Sequence, residues 1–239
     1  MSFASSLPIL SILFLAAFTR SALGFGDALI AMPLLALVIN MQTATPLVAF
    51  GATTIAATIL LKQWRSVDIR AAWRLILSSL LGIPFGLLLL KTAPESIVKA
   101  VLGVVLIGFG LYNLVKPHLP PLRSEKLAYL FGWVAGVLGG AYNTNGPPVI
   151  IYGALRKWPP ESFRATLQCY FLPTGLMILI GHGLAGLWTP TVLRLYAYAL
   201  PLILLAILLG GRLNKVMSGG QFNRVVYAIL VVMGILMFV

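Results

Sequence analysis

Asp27 is the one carboxylate of this chain that falls inside an apolar stretch. A charge placed there costs about 3 kcal/mol on insertion scales, so it normally has a partner or a task. As a carboxylate it could bind a coupling cation, with the carbonyls of Gly24 and Gly26 as further ligands. With a pKa raised by burial it could instead carry a proton. It could also cap a helix over 28–39, with Arg20 as its neutralising partner. Arg20 itself either snorkels to the interface or draws an anion into a site.

A second polar group sits far along the chain. Asn143, Thr144 and Asn145 stand directly before Gly146-Pro147-Pro148. Asn or Thr followed by proline reads as a helix start. The N-terminus of a helix offers free N–H groups and partial positive charge, which suit an anion. Amides and hydroxyls can hold that anion without a formal charge. Gly140 and Gly146 flank this group as candidate backbone contacts, and Gln168 and Thr53 are the polar side chains in apolar spans with the best claim to join it. His182 and Trp188 read as members of an interfacial belt. No Ser/His/Asp or metal-ligand arrangement argues for catalysis, no nucleotide-binding motif argues for ATP-driven transport, and no cofactor is expected.

The elements that must position these residues are broken helices. Ser21-Ala-Leu-Gly24-Phe-Gly26-Asp27 and Gly136-Val-Leu-Gly139-Gly140 each interrupt an apolar run. One register lays Leu23, Gly24 and Pro33 on Leu138, Gly139 and Pro148, 115 positions on. Glycine clusters break helices. Inside a membrane, the freed backbone groups are tolerated only where protein or a water-filled cavity satisfies them. Paired breaks at matching places in two halves point to a transporter's binding site.

Composition sets the class. Of 239 residues, 60% are hydrophobic and 9% charged, against about a quarter charged in soluble domains. Runs such as 28–61, 127–155 and 165–193 lack any charge. The chain is therefore all-α and polytopic, embedded in a lipid bilayer. The net charge of +12 would suggest nucleic acid in a soluble protein. Here the basic residues lie in short loops, so topology explains them and no nucleic acid is expected. One cysteine, Cys169, excludes an intramolecular disulfide. Residues 1–19 carry no Lys or Arg, so no cleaved signal peptide is expected.

Loop charges give the topology. Loops 62–74, 116–126, 156–164 and 212–224 hold thirteen of the 17 basic residues and are expected in the cytoplasm. Region 127–155 is then flanked by cytoplasmic loops and region 7–39 by charge-poor ends, so each is a hairpin. Spans 45–61, 73–90 and 97–115 follow the first hairpin, and spans 163–181, 190–211 and 222–239 follow the second. This predicts two inverted-topology repeats, 1–116 and 127–239. They are joined by a cytoplasmic linker, 117–126, that contains His118. Both termini fall outside. Gly86, Gly108, Gly210 and Gly234 read as close-packing positions between helices.

The chain resembles the TauE/SafE family of sulfite and organosulfonate exporters. The likeness rests on Ser21-Ala-Leu-Gly24-Phe-Gly26 with Pro33-Leu34-Leu35, and on Gly136-Val-Leu-Gly139-Gly140 with Gly146-Pro147-Pro148. The chain departs from the family's glycine-rich motifs at Asp27 and at Tyr142–Asn145. The resemblance implies a secondary transporter exporting a small sulfur-containing anion across the inner, cytoplasmic membrane. The expected site is at the hairpin tips near the midplane. Ion-coupled uptake, with sodium or a proton at Asp27, and an anion channel remain alternatives. A homodimer is left open.

Overall fold

The computed structural model describes residues 3–115, 121–122, 124–216 and 220–238. Ten α-helices cover most of them: α1 (Phe3–Leu23), α2 (Asp27–Ala36), α3 (Met41–Gln63), α4 (Ile69–Thr92), α5 (Glu95–Val115), α6 (Leu127–Tyr142), α7 (Gly146–Leu155), α8 (Pro160–Leu184), α9 (Pro190–Val216) and α10 (Gly220–Leu236). A short 3₁₀ turn, Trp64–Ser66, follows α3. Among the described residues there is no strand.

Among the described residues six helices are long and apolar enough to cross a bilayer: α1, α3, α4, α5, α8 and α9. The spans expected at 45–61, 73–90, 97–115, 163–181 and 190–211 lie inside α3, α4, α5, α8 and α9. The last expected span, 222–239, falls largely on α10. The two hairpins are α1–α2 and α6–α7, and their arms are unequal. α1 runs for 21 residues before its break, whereas α2 and α7 have 10 each. At about 1.5 Å per residue a ten-residue arm covers only about half of the hydrocarbon core. α3 begins four residues before the expected Thr45-Pro46 start, because Asn40 caps it by accepting from Thr43 N at 2.8 Å. His118 and the neighbouring residues 116–120 and 123 lie outside the described residues. The described part of the linker is held where Leu122 N donates to the Leu155 carbonyl and Glu125 pairs with Arg74 at 2.7 Å.

The breaks repeat at a spacing the sequence register missed. α1 ends at Leu23 and α6 at Tyr142; the short arms run 27–36 and 146–155; α3 and α8 start at 41 and 160. Every one of these pairs is 119 positions apart. The expected offset of 115 is therefore corrected by about one helical turn. It failed because it matched prolines with different duties. Pro33 lies in the body of α2, whereas Pro147 and Pro148 open α7.

The most extensive helix contacts join α4 with α6, α1 with α9, α5 with α10 and α3 with α8. The α4–α6 contact is backbone against backbone. Gly132, Gly136 and Gly140 recur every four residues on α6 and face Leu75, Ser79 and Ile83 on α4, with Gly82 and Gly86 packed in return. A methyl on any of these five glycines would run into main-chain atoms of the facing helix. This is how helices approach closely where lipid supplies no hydrophobic drive. Gly86 packs against Val137 and Ala141, and Gly210 against Phe18 and Ala22. Gly234 meets Gly103 on α5. Gly108 differs from the expectation, since open space lies beside it.

Candidate functional site

Both breaks are built around a left-handed residue. Gly24 has φ +91 and donates its N–H to the Arg20 carbonyl at 2.6 Å. Asn143 has φ 53 and donates its N–H to the Gly139 carbonyl at 2.7 Å. Glycine takes this conformation freely, and asparagine is among the few other residues that tolerate it. Gly26, at φ +100, then precedes the first residue of α2, as Asn145 precedes that of α7.

The breaks meet. One narrow cleft is lined by Phe25, Gly26 and Asp27 from the first, and by Asn143, Thr144, Asn145 and Gly146 from the second. Its free volume is 10 Å³, about the space of one water. The tips are thus closed on each other.

Arg20 sits at the centre of the buried polar network. Its Nη1 donates to Asp27 Oδ2 at 2.7 Å and its Nη2 to Gln168 Oε1 at 2.9 Å. The guanidinium also lies 4.6 Å from the ring centre of Phe171, in cation–π geometry. Gln168 in turn donates Nε2 to the Gly24 carbonyl at 2.7 Å. Arg20 is 3% exposed and Asp27 8%, so the snorkelling reading of Arg20 is overturned. A buried cation needs a counter-charge, and Asp27 lies within reach on the other side of the break. The capping reading of Asp27 is corrected too. α2 starts at Asp27 itself behind Gly26, and no side chain caps it. The Gly24 carbonyl is taken by Gln168 and the Gly26 carbonyl by Ile30 N.

The donor side has its own contacts. Asn145 Nδ2 donates to Thr174 Oγ1 at 3.2 Å, and Thr144 Oγ1 to the Tyr142 carbonyl at 3.1 Å. Asn145 stands at the start of α7 as expected, with no capping bond from its side chain.

Of the expected site residues, Gly24, Gly26, Asp27, Arg20, Asn143, Thr144, Asn145, Gly146 and Gln168 come together. Two do not. Gly140 packs against Ile83 and Leu87 of α4, and its carbonyl accepts from His182 Nε2 at 3.2 Å. Thr53 bonds back to the Ala49 carbonyl at 2.8 Å and lines a separate groove with Phe50 and Tyr196. His182 is fully buried, contrary to a belt position, whereas Trp188 is exposed, its ring tilted against Phe50 at 5.2 Å between centroids. Sequence reasoning passed over Phe171 and Arg164. Arg164 Nη2 donates to the Ser21 carbonyl at 2.7 Å, and its stem covers Gly24. The signal was available: 164, 168 and 171 follow one face of a helix. Among the described residues no group of His, Cys, Asp or Glu could hold a metal ion.

Such a fold, apolar helices around buried breaks, defines a multi-pass membrane protein. Residues 9–237 match the family described as Sulfite exporter TauE/SafE, and the chain belongs to that family. It is similar to the "Probable sulfite/organosulfonate exporter TauE" of Cupriavidus necator, at 25% identity over 90% of this chain and 86% of that protein. It is also similar to a "Probable membrane transporter protein" of Haemophilus influenzae, at 32% identity over 56% of each chain. No solved structure matches it significantly.

Proposed function

We propose that this chain is a secondary transporter that exports a small sulfur-containing anion, sulfite or a short organosulfonate, across the cytoplasmic membrane. The observation that carries this reading is the meeting of the two helix breaks around a buried Arg20, with Asn143, Thr144 and Asn145 opposite. The substrate class comes from the family and from the printed name of the Cupriavidus relative.

The halves, 1–116 and 127–239, act as inverted-topology repeats with both termini outside. The shared offset of 119 positions supports the repeat. So does the contact pattern: exchanging the halves turns α4–α6 into α9–α1 and leaves α3–α8 and α5–α10 as they are. Loop charge supports the inversion. Alternating access then opens the closed tips to one side at a time. An inside-negative potential favours anion exit, by about 2.3 kcal/mol per charge per 100 mV.

Asp27 holds Arg20 when substrate is absent. An arriving oxyanion competes for the same guanidinium, and arginine suits such bidentate partners. The displaced carboxylate then takes a coupling ion or is solvated. The Gly24 and Gly26 carbonyls each accept one hydrogen bond and keep a second lone pair, so sodium and a proton both fit beside the carboxylate.

Flux of sulfite into and out of proteoliposomes tests the reading. Saturable flux with countertransport is expected, and Asn145→Ala should cut both flux and sulfite-dependent thermal stabilisation. Wild-type behaviour of that variant in both assays overturns the site. Flux without countertransport supports the channel instead.

A further inference from the structure

A cavity of 440 Å³ lies between α1, α3, α8 and α9, at the end where the basic loops 62–74 and 212–224 attach. Its size falls within the range of about 300–1,000 Å³ typical of small-molecule sites. Lys62, Arg164 and Arg212 line it, together with Ser21 and Asn214, and among the described residues no carboxylate lines it. Three like charges around one concave space repel each other, and a cleft of one sign concentrates counter-ions. Two buried donors at this cavity also lack partners: Arg164 Nε and Ser21 Oγ. Ser21 is 1% exposed.

We propose that this vestibule is a second anion-binding site, for a small hydrated divalent oxyanion, placed in series with the site at the hairpin tips. Its role in delivery rests on the function proposed above; the binding does not. Arg164 joins the two. Its Nη2 bonds the Ser21 carbonyl, and its stem lies on Gly24, whose carbonyl reaches Arg20 through Gln168. An anion leaving Lys62 and Arg212 therefore meets Arg164 before it meets Arg20. Lys62 and Arg212 are exposed, which suits capture, whereas Arg20 is sealed until the tips open.

The test uses Gly211→Cys in a Cys169→Ser background of the full chain. Gly211 lines the vestibule, and a side-chain carbon there meets nothing. The purified protein in neutral detergent is treated with methanethiosulfonate reagents carrying a sulfonate or a trimethylammonium group. Modification is followed by mass spectrometry. With each rate referred to that reagent's rate on a free thiol, the sulfonate reagent should react roughly tenfold faster or more, and inorganic sulfate should slow it in a saturable way. Lys62→Gln should lower the ratio, since Lys62 on α3 reaches Gly211 on α9 only across the cavity. Arg212→Gln should lower it again. Equal rates, no modification by either reagent, or a sulfate effect that only tracks ionic strength would each overturn the proposal. Charge selectivity with no sulfite flux would leave the vestibule standing and remove the transport reading. Flux without selectivity would do the reverse.

Discussion

Arg20 and Asp27 close on each other at 2.7 Å across the break between α1 and α2, and both are buried. The pair is neutral as a unit, and Gln168 and Phe171 fix the guanidinium from the α8 side. Breaking such a pair leaves one charge buried alone. Asp27→Asn should lower stability by about 3–5 kcal/mol, read as a drop in Tm in detergent. Adding Arg20→Gln should recover much of that loss without restoring sulfite flux. Recovery of flux by the double variant would mean that neither charge serves transport.

Asn143 offers a cleaner separation of shape from chemistry. Its φ of 53 suits glycine equally well. Asn143→Gly should keep the fold within about 0.5 kcal/mol while removing an amide from the cleft. The half-saturating sulfite concentration should then rise severalfold with Tm unchanged. A change in Tm alone would make the side chain structural.

Gly24 and Gly26 carry the opposite constraint. With φ of +91 and +100, Gly24→Ala or Gly26→Ala strains the backbone by about 1–3 kcal/mol. Gly24→Ala also presses on the Arg164 stem. Thermal denaturation should rank Gly24→Ala as the more damaging of the two, because only Thr19 lies near a methyl on Gly26.

The helix-packing glycines should divide sharply. Gly86→Leu or Gly140→Leu drives a side chain into the facing backbone and should abolish accumulation of folded protein in the membrane. Gly108→Ala meets nothing and should leave Tm and flux as they are. Equal tolerance at Gly86 and Gly108 would contradict the α4–α6 contact.

Sidedness is testable with single cysteines in the Cys169→Ser background. Thr92→Cys, at the exposed end of α4, should label from outside with an impermeant maleimide. Ser124→Cys, in the basic linker, should label only after permeabilisation. The reverse pattern would invert the topology proposed from loop charge.

Much of this architecture was legible because membranes punish irregular backbone. The first glycine cluster does mark a break, at Gly24 and Gly26, but Gly136, Gly139 and Gly140 all lie inside α6, whose break comes at Asn143; the polar residues Asp27 and Asn143–Asn145 marked the tips better than glycine did. What escaped was geometry that composition does not encode. Gly86 packs as expected, but Gly140, expected in the site, has the same duty once the facing helix is known. Pro33 and Pro148 matched as letters while serving different turns of their helices. Arg164 was read as loop charge because it follows Arg156 and Lys157, yet it lies a turn inside α8 and points back to α1. For Arg20, spacing alone left snorkelling and pairing with Asp27 both open, and only the folded-back hairpin decides for the pair.

The helix pairing ties the two halves of the chain to each other. The long arm of each hairpin leans on a helix of the other half, α1 on α9 and α6 on α4. Neither half encloses its own hairpin, so a fragment of 1–116 alone leaves α1 without its principal support. Two such halves form a closed structure only when interlaced. Co-expression of the two halves as separate polypeptides should rebuild one folded membrane protein where either half alone is degraded.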